Sequence, residues 1–224
     1  MSIVPAISSS AVMIIRNADN SSQVLLVRRN KRIAFHGGSW VFPGGKVDAV
    51  DYGVDDVDEL TIARRAAVRE VAEETSLTVY ESRLKCFSHW TTPENQPKRF
   101  ATWFFLTQVA AGSTVEVDGS EIVEYQWLSI DDALRKRANN EITLPPPTFV
   151  SLLKLQRFTE SNHSLDHLDS QDVERFVPRV VELENGRCSL YEEDAGYKTL
   201  DLTAEGMKHR LFMLDSGWQY VRDF

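Results

Sequence analysis

Glu70, Glu73 and Glu74 are the residues whose types and spacing point most directly to chemistry. They belong to the run Arg69-Glu70-Val71-Ala72-Glu73-Glu74-Thr75-Ser76-Leu77. Residues three and four apart are neighbours on a helix, so the three carboxylates share one face. Like charges at these spacings cost roughly 0.2–0.5 kcal/mol per pair on an exposed helix. A hard divalent cation such as Mg²⁺ or Mn²⁺ reverses that cost, because it takes carboxylate oxygens. Spacing alone leaves two readings open, a metal site and a solvated acidic face.

The upstream segment favours the metal site. Trp40-Val41-Phe42-Pro43-Gly44-Gly45 is a short apolar run closed by a Pro-Gly-Gly turn. It reads as a strand ending where backbone must approach something closely. Such a turn supplies N–H donors to a phosphate, while the helix supplies metal ligands. Arg28, Arg29, Lys31 and Arg32 form a basic cluster just before it. The cluster is either a solvated loop or a clamp for substrate phosphates, which Arg suits through its planar fork of donors. His36, beside Gly37 and Gly38, reads as structural or exposed and receives no catalytic part.

Periodicity supplies the framework around these residues. Leu60, Ala63, Ala67 and Val71 give the acidic helix an apolar stripe. Ala11–Ile15 and Val24–Val27 read as a hairpin around the polar turn 17–22. Leu84–Trp90 and Ala101–Val109 read as paired strands, with Trp90, Trp103, Phe104 and Phe105 in the core or, for one or two of them, stacked on an adenine ring. Glu121–Leu128 reads as a strand, after which Ser129 caps a helix over Asp131–Arg137. Leu144-Pro145-Pro146-Pro147 is punctuation, because proline cannot continue a helix. Beyond it we expect a helix over Phe149–Phe158, a polar loop over Ser161–Ser170 and a short helix over Gln171–Phe176. Short strands are expected over Pro178–Leu183, Cys188–Tyr191, Met207–Leu214 and Trp218–Val221. The expected division is a core over 1–144 and an extension over 145–224, which is too small for an independent core and packs on the first.

Composition narrows the function classes. A net charge of −8 argues against nucleic acid as a bulk partner. A small anionic nucleotide stays admissible, because a bound metal inverts the local charge. No apolar run approaches the roughly 18 residues of a membrane span. Cys86 and Cys188 stand far apart without metal-finger spacing, which suits reduced thiols in a cytoplasmic setting. His163 and His167 lie four apart but lack further zinc ligands nearby. Oligomeric state, a homodimer included, is left open.

These residues resemble the Nudix hydrolase family, whose signature is G-x5-E-x7-R-E-U-x-E-E-x-G-U with U bulky and aliphatic. Gly45 fits the first glycine, and Arg69, Glu70, Val71, Glu73, Glu74 and Leu77 fit the second half. Asp51 stands where the early Glu is expected, 17 residues separate it from Arg69 where the family has seven, and Ser76 replaces the last glycine. The insertion, Tyr52 to about Glu59, reads as a loop that leaves the helix whole. The stretch from Val24 to Asp51 resembles the coenzyme A diphosphatase branch through Leu25, Leu26, Arg29, Gly38, Phe42, Pro43, Gly44 and Gly45. Asn30, Ala34 and Trp40 replace that pattern's serine, second arginine and valine. Members of the peroxisomal type, which carry an insertion in the box, are similar also at Asp48 and Asp51, at Trp90-Thr91-Thr92-Pro93, at Arg99, Thr102, Phe104 and Phe105, and at Pro145-Pro146-Pro147 with Phe149. That type often ends in a peroxisomal tripeptide; this chain ends Arg222-Asp223-Phe224.

The resemblance implies an α+β Nudix fold, a mixed sheet sandwiched between helices, with a C-terminal α/β extension. It implies Mg²⁺ or Mn²⁺ on Glu70, Glu73 and Glu74, Arg69 orienting a glutamate, and a glutamate near the metal as base, either Glu70 or a downstream carboxylate. Glu121 and Glu124 are the downstream candidates, and Glu124 is placed in the catalytic set with Glu70, Glu73 and Arg69. Arg29, Gly44, Gly45, Phe42 and Trp40 are expected to hold substrate. The implied substrate is a diphosphate linked to a nucleoside, first coenzyme A or an acyl-coenzyme A. An ADP-sugar, NADH or a dinucleotide remains open, as does a regulatory domain that binds nucleotide without turnover.

Overall fold

A computed structural model describes residues 3–18, 21–53, 58–161 and 164–224. Contacts divide the chain into two units. One comprises residues 8–88 and 102–173; the other comprises 1–7, 89–101 and 174–224.

The first unit is built on a sheet. Its strands are β1 (Ala6–Ala18), β2 (Ser21–Arg29), β3 (Trp40–Val41), β4 (Lys85–Thr91), β5 (Arg99–Gln108) and β6 (Ile122–Ser129). Their order is β3-β2-β1-β5-β4, with β6 pairing antiparallel to β2. The expected hairpin forms, with Ile15 opposite Val24, although residues 19 and 20 of its turn lie outside the described residues.

Helix α1 (Glu59–Thr75) lies on one face of the sheet. Ala63, Ala67 and Val71 are fully buried against Val12, Ile14, Leu25, Val27 and Phe105. Three short side chains in that stripe let the helix backbone approach the sheet closely, which fixes where its charged face lies. Asp58 starts the helix by accepting the Thr61 N–H at 2.8 Å. The 17 residues between Asp51 and Arg69 thus divide into the stretch 52–58 and ten residues of helix. Residues 54–57 of the insertion lie outside the described residues.

Helix α2 (Ile130–Ala138) begins where Ser129 accepts the Asp132 N–H at 3.0 Å, and packs on β6, β2 and α3 (Pro146–Glu160). The sheet is therefore held between helices. Trp103, Phe104 and Phe105 are buried in this unit as core.

In the second unit the end of β4 pairs in parallel with β7 (Arg175–Phe176), which makes the sheet mixed. The short helix expected over Gln171–Phe176 does not form. A 3-10 turn takes Leu165–Ser170 instead, inside the stretch expected to be a polar loop. Phe176 is drawn into strand pairing by its ring, which stacks on Trp90 at 3.9 Å with Tyr191 edge-on. The four expected strands appear as an antiparallel meander, β8 (Arg179–Leu183), β9 (Gly186–Leu190), β10 (His209–Leu214) and β11 (Gly217–Arg222). Asp194 and Arg210 form a buried two-bond ion pair beneath it. Neither cysteine is in a disulfide; Cys86 is partly and Cys188 fully buried. His163 lies outside the described residues, and His167 meets Gln171 at 2.9 Å. No helix among the described residues is long and apolar enough to cross a membrane.

Candidate active site

The glycine turn is gripped from below by β1. Ser10 N–H donates to the Gly45 carbonyl at 2.9 Å, Val12 N–H to Pro43 at 2.8 Å, and Val47 N–H to Ser8 at 2.9 Å. Gly44 adopts φ 153°, and a Cβ there would stand 2.2 Å from the Ser10 carbonyl oxygen. A Cβ on Gly45 would stand 2.3 Å from Glu70 Oε1. Gly44 is required by its backbone angle and by the Ser10 carbonyl, and a side chain on Gly45 would displace the Glu70 carboxylate; the turn lies between β1 and α1.

Glu74 closes over that turn. It is 4% exposed, and its Oε2 accepts the Gly44 N–H at 2.8 Å. Its other oxygen, Oε1, is buried with no protein partner. Burial pushes the Glu74 pKa up to about 8; the Gly44 N–H and the Arg29 charge oppose the rise, while Glu70 and Glu121 add to it. Glu70 is also raised, first by burial and then by Glu73 and Glu121, against the pull of Arg69.

Arg69 organises the remaining carboxylates. Its Nε and Nη2 hold Asp51 at 3.0 and 2.8 Å. Nη1 reaches Glu70 at 2.9 Å and Glu73 at 3.0 Å, and Nη2 also donates to the Lys46 carbonyl at 3.0 Å. Asp51 is 3% exposed. Burial alone would raise its pKa, but the Arg69 hydrogen bond, the Asp48 N–H and the Arg69 charge together bring it below the ordinary value. Arg65 ties down the Asp51 carbonyl at 3.2 Å. Asp51 and Arg65 are positioning residues that sequence reasoning left without a role; the signal for Asp51 was its place six residues after Gly45.

The downstream carboxylates separate on a single irregularity. Arg28 pairs with Glu124 across β2 and β6, yet Arg29 pairs with Ile122, so Val123 is an unpaired extra residue. Such a bulge rotates the strand by one residue and re-aims the side chains beyond it. Ile122 and Arg29 stay on the α1 face, whereas Glu124 turns to the opposite face and joins Arg28 at 2.9 Å. Glu121, just before the bulge, acts electrostatically on both Glu70 and Glu74. Its turn is built by Asp118, whose carboxylate accepts the N–H groups of Ser120, Glu121 and Ile122 at 2.9, 2.7 and 2.8 Å. The structure thus groups Glu70, Glu73, Glu74, Arg69, Gly44, Gly45 and Arg29, brings Glu121 to them, and turns Glu124 away.

Trp40 and Phe42 are buried, 5% and 3% exposed; Phe42 packs edge-on against Phe104 at 6.2 Å. His36 sits at φ 55°, and burial, with the Arg29 charge, lowers its pKa to about 4, so its imidazole is neutral near pH 7.

Among the described residues no three His, Cys, Asp or Glu side chains converge as a metal cage, and Arg69 is bonded to oxygens of Glu70 and Glu73. The donors nonetheless fit a hard divalent cation. They are carboxylate oxygens, one of them buried and unpartnered, and burial raises the pKa of two of the groups, Glu74 and Glu70.

A mixed sheet between helices, with a glycine turn set against a carboxylate-rich helix, defines a class of α+β domain that brings backbone N–H donors and carboxylate oxygens together. Within it the chain belongs to the NUDIX domain family, whose model matches residues 7–153. "Putative nudix hydrolase 7" of Caenorhabditis elegans is 28% identical over 183 residues, which cover 66% of this chain and 60% of that protein. The "Acyl-coenzyme A diphosphatase NUDT19" of Xenopus laevis is 30% identical over 135 residues, covering 54% of this chain and 34% of that protein. The match therefore spans less than two thirds of either relative's length. The crystal structure of a NUDIX hydrolase from Alicyclobacillus acidocaldarius superposes with a TM-score of 0.58 at 22% identity, over 67% of this chain and 91% of that one, a likeness of fold.

Proposed function

We propose that this chain is a Nudix diphosphatase that hydrolyses a nucleoside diphosphate-linked substrate, with coenzyme A or an acyl-coenzyme A as the leading candidate. The observation that carries the hydrolase reading is Glu74: a buried carboxylate held by the Gly44 N–H, with its second oxygen unpartnered beside Glu70. A group so desolvated requires either a proton or a cation. Bound Mg²⁺ or Mn²⁺, held by Glu70, Glu73 and Glu74, would supply charge for the phosphate oxygens and acidify a water.

The chain's own residues do the rest. Asp51 fixes Arg69, and Arg69 holds Glu70 and Glu73 in position until other partners replace it. The Gly44-Gly45 backbone and Arg29 bind and orient the diphosphate. Glu121 takes the proton of the attacking water in place of Glu124, because its charge acts on Glu70 and Glu74 while Glu124 is ion-paired on the other side of the sheet. The substrate choice draws on the NUDT19 relative and on the coenzyme A diphosphatase pattern at Leu25, Leu26, Arg29, Gly38 and Phe42–Gly45. The products are adenosine 3′,5′-bisphosphate and a 4′-phosphopantetheine.

A product-resolved screen tests this. Coenzyme A, an acyl-coenzyme A, ADP-ribose, NADH and a diadenosine polyphosphate are incubated with Mg²⁺ or Mn²⁺, with Glu73→Gln as control. Adenosine 3′,5′-bisphosphate formed chiefly from the coenzyme A series, and lost in the control, is the expected result. Faster cleavage of ADP-ribose or NADH would transfer the chain to another diphosphatase class. No turnover of any of them would remove the enzymatic reading for these substrates.

A further inference from the structure

The flank of α1 away from the carboxylates carries a feature that the diphosphate chemistry does not use. Glu73 follows Arg64 by nine residues, two and a half turns at about 3.6 residues per turn, so the two leave the helix on opposite sides. Beside Arg64 the first unit has an open cavity of about 350 Å³, within the range of small-molecule sites. Thr61 and Arg64 line it from α1, Glu81 and Ser82 from the 3-10 turn Glu81–Arg83, Lys85 from β4 and Asp169 from the turn Leu165–Ser170.

Its two cations differ in what they already hold. Lys85 Nζ is shared between Asp166, at 2.9 Å, and Asp169. Arg64 has no hydrogen bond or ion pair among the described residues, and its Nε is buried without an acceptor. Its guanidinium stands 5.9 Å from the centre of the fully buried Phe105 ring, an aromatic floor for the planar group. Its charge also acts on Asp58, but the Thr61 N–H and hydroxyl already engage that carboxylate. Glu81 is exposed and forms no pair with Arg64. A buried donor without an acceptor is costly, and the guanidinium fork matches the oxygens of an oxyanion.

We propose that this cavity is a second binding site, separate from the diphosphate site, which takes a small phosphate or carboxylate anion on Arg64. The Ser82 hydroxyl is a further donor lining it. Glu81 and Asp169 line it too, so it favours one compact anion over a polyanion such as a nucleoside diphosphate. The assignment goes beyond the diphosphatase reading and does not depend on it: the anion rests on α1 but touches neither the glycine turn nor Glu70, Glu73 and Glu74.

The test follows the Arg64 Nε–Hε resonance by nitrogen-resolved NMR of the metal-free protein, with inorganic phosphate or acetate added at constant ionic strength. The resonance is assigned by its loss in Arg64→Met, which keeps an apolar stem over Phe105. Saturable movement of that resonance by either anion is expected. Calorimetry should show affinity for the same anion falling by about tenfold or more in Arg64→Met, the size that charge-assisted contacts to one anion supply. Phosphate can also reach Arg29, and the variant separates the two places: equal affinity in both proteins would put the anion at the diphosphate site and overturn the proposal. So would an Arg64 resonance that stays fixed with both anions, a result read on wild type alone and therefore independent of how the variant folds. A resonance that moves only in Glu81→Gln would mean that Glu81 already serves Arg64 in solution, and would overturn it as well.

Discussion

Replacing Glu74 by Gln should change how metal-free stability depends on pH. The pKa of Glu74 moves from 4.5 to about 8 because the folded state buries it. At about 1.36 kcal/mol per pH unit, that is a preference of roughly 4–5 kcal/mol for the neutral form. The folded-state value is raised, so the neutral carboxyl is stable below 4.5, and stability drains away as pH climbs towards 8. Between about pH 5 and pH 8 the loss amounts to roughly 3 kcal/mol. Gln has no charge to lose. Its carbonyl can accept the Gly44 N–H, and its amide takes the unpartnered Oε1 position at a cost of roughly 1–3 kcal/mol that does not vary with pH. Urea unfolding with chelator present, at several pH values, should therefore give wild type a falling stability and Glu74→Gln a flatter one. Millimolar Mg²⁺ or Mn²⁺ should restore wild type most at the alkaline end and the variant little. Parallel pH profiles for the two proteins would refute both the burial argument and the cation site inferred from it.

Two further outcomes rest on local geometry. Ser76 ends α1 at φ 57°, a left-handed conformation that costs a non-glycine residue roughly 1 kcal/mol, so Ser76→Gly should raise stability by about that amount in the same assay. Glu121→Gln should lower kcat by about 100-fold, the range of a lost general base, while Glu124→Gln should leave it within a few fold; the reverse ranking would show that the bulge at Val123 does not decide which carboxylate serves the site.

The helix that carries the site was legible because its signals are local. Ala63, Ala67 and Val71 repeat at helical spacing, and Ser129 announces α2 through a cap that needs only its own neighbours. The strands of the meander were legible for the same reason. The features that stayed hidden depend on residues distant in sequence. Whether Arg28 or Arg29 faces Glu74 is set by register with β6, and the single extra residue Val123 reverses the expectation for Glu124. Trp40 and Phe42 match a substrate-binding pattern, yet neighbouring elements bury them. The segment 171–176 has too few apolar residues to choose a conformation alone, and stacking of Phe176 on Trp90 chooses for it. The need for glycine at 44, and for an empty place at 45 beside the Glu70 carboxylate, becomes clear only when Ser10 and Glu70 are seen on either side.

The anchoring at Asp51 and Asp58 has a consequence for how this domain can change. Asp51 is pinned through Arg69 and Arg65, and Asp58 through its bonds to Thr61. The two posts stand on either side of the insertion, Asp51 before it and Asp58 at the start of α1. Lengthening a loop between two fixed ends adds a loop-closure cost of about 0.6 kcal/mol for each doubling of length. With Asp51 and Asp58 held separately, the motif tolerates a change of length between them at an entropic cost that grows slowly.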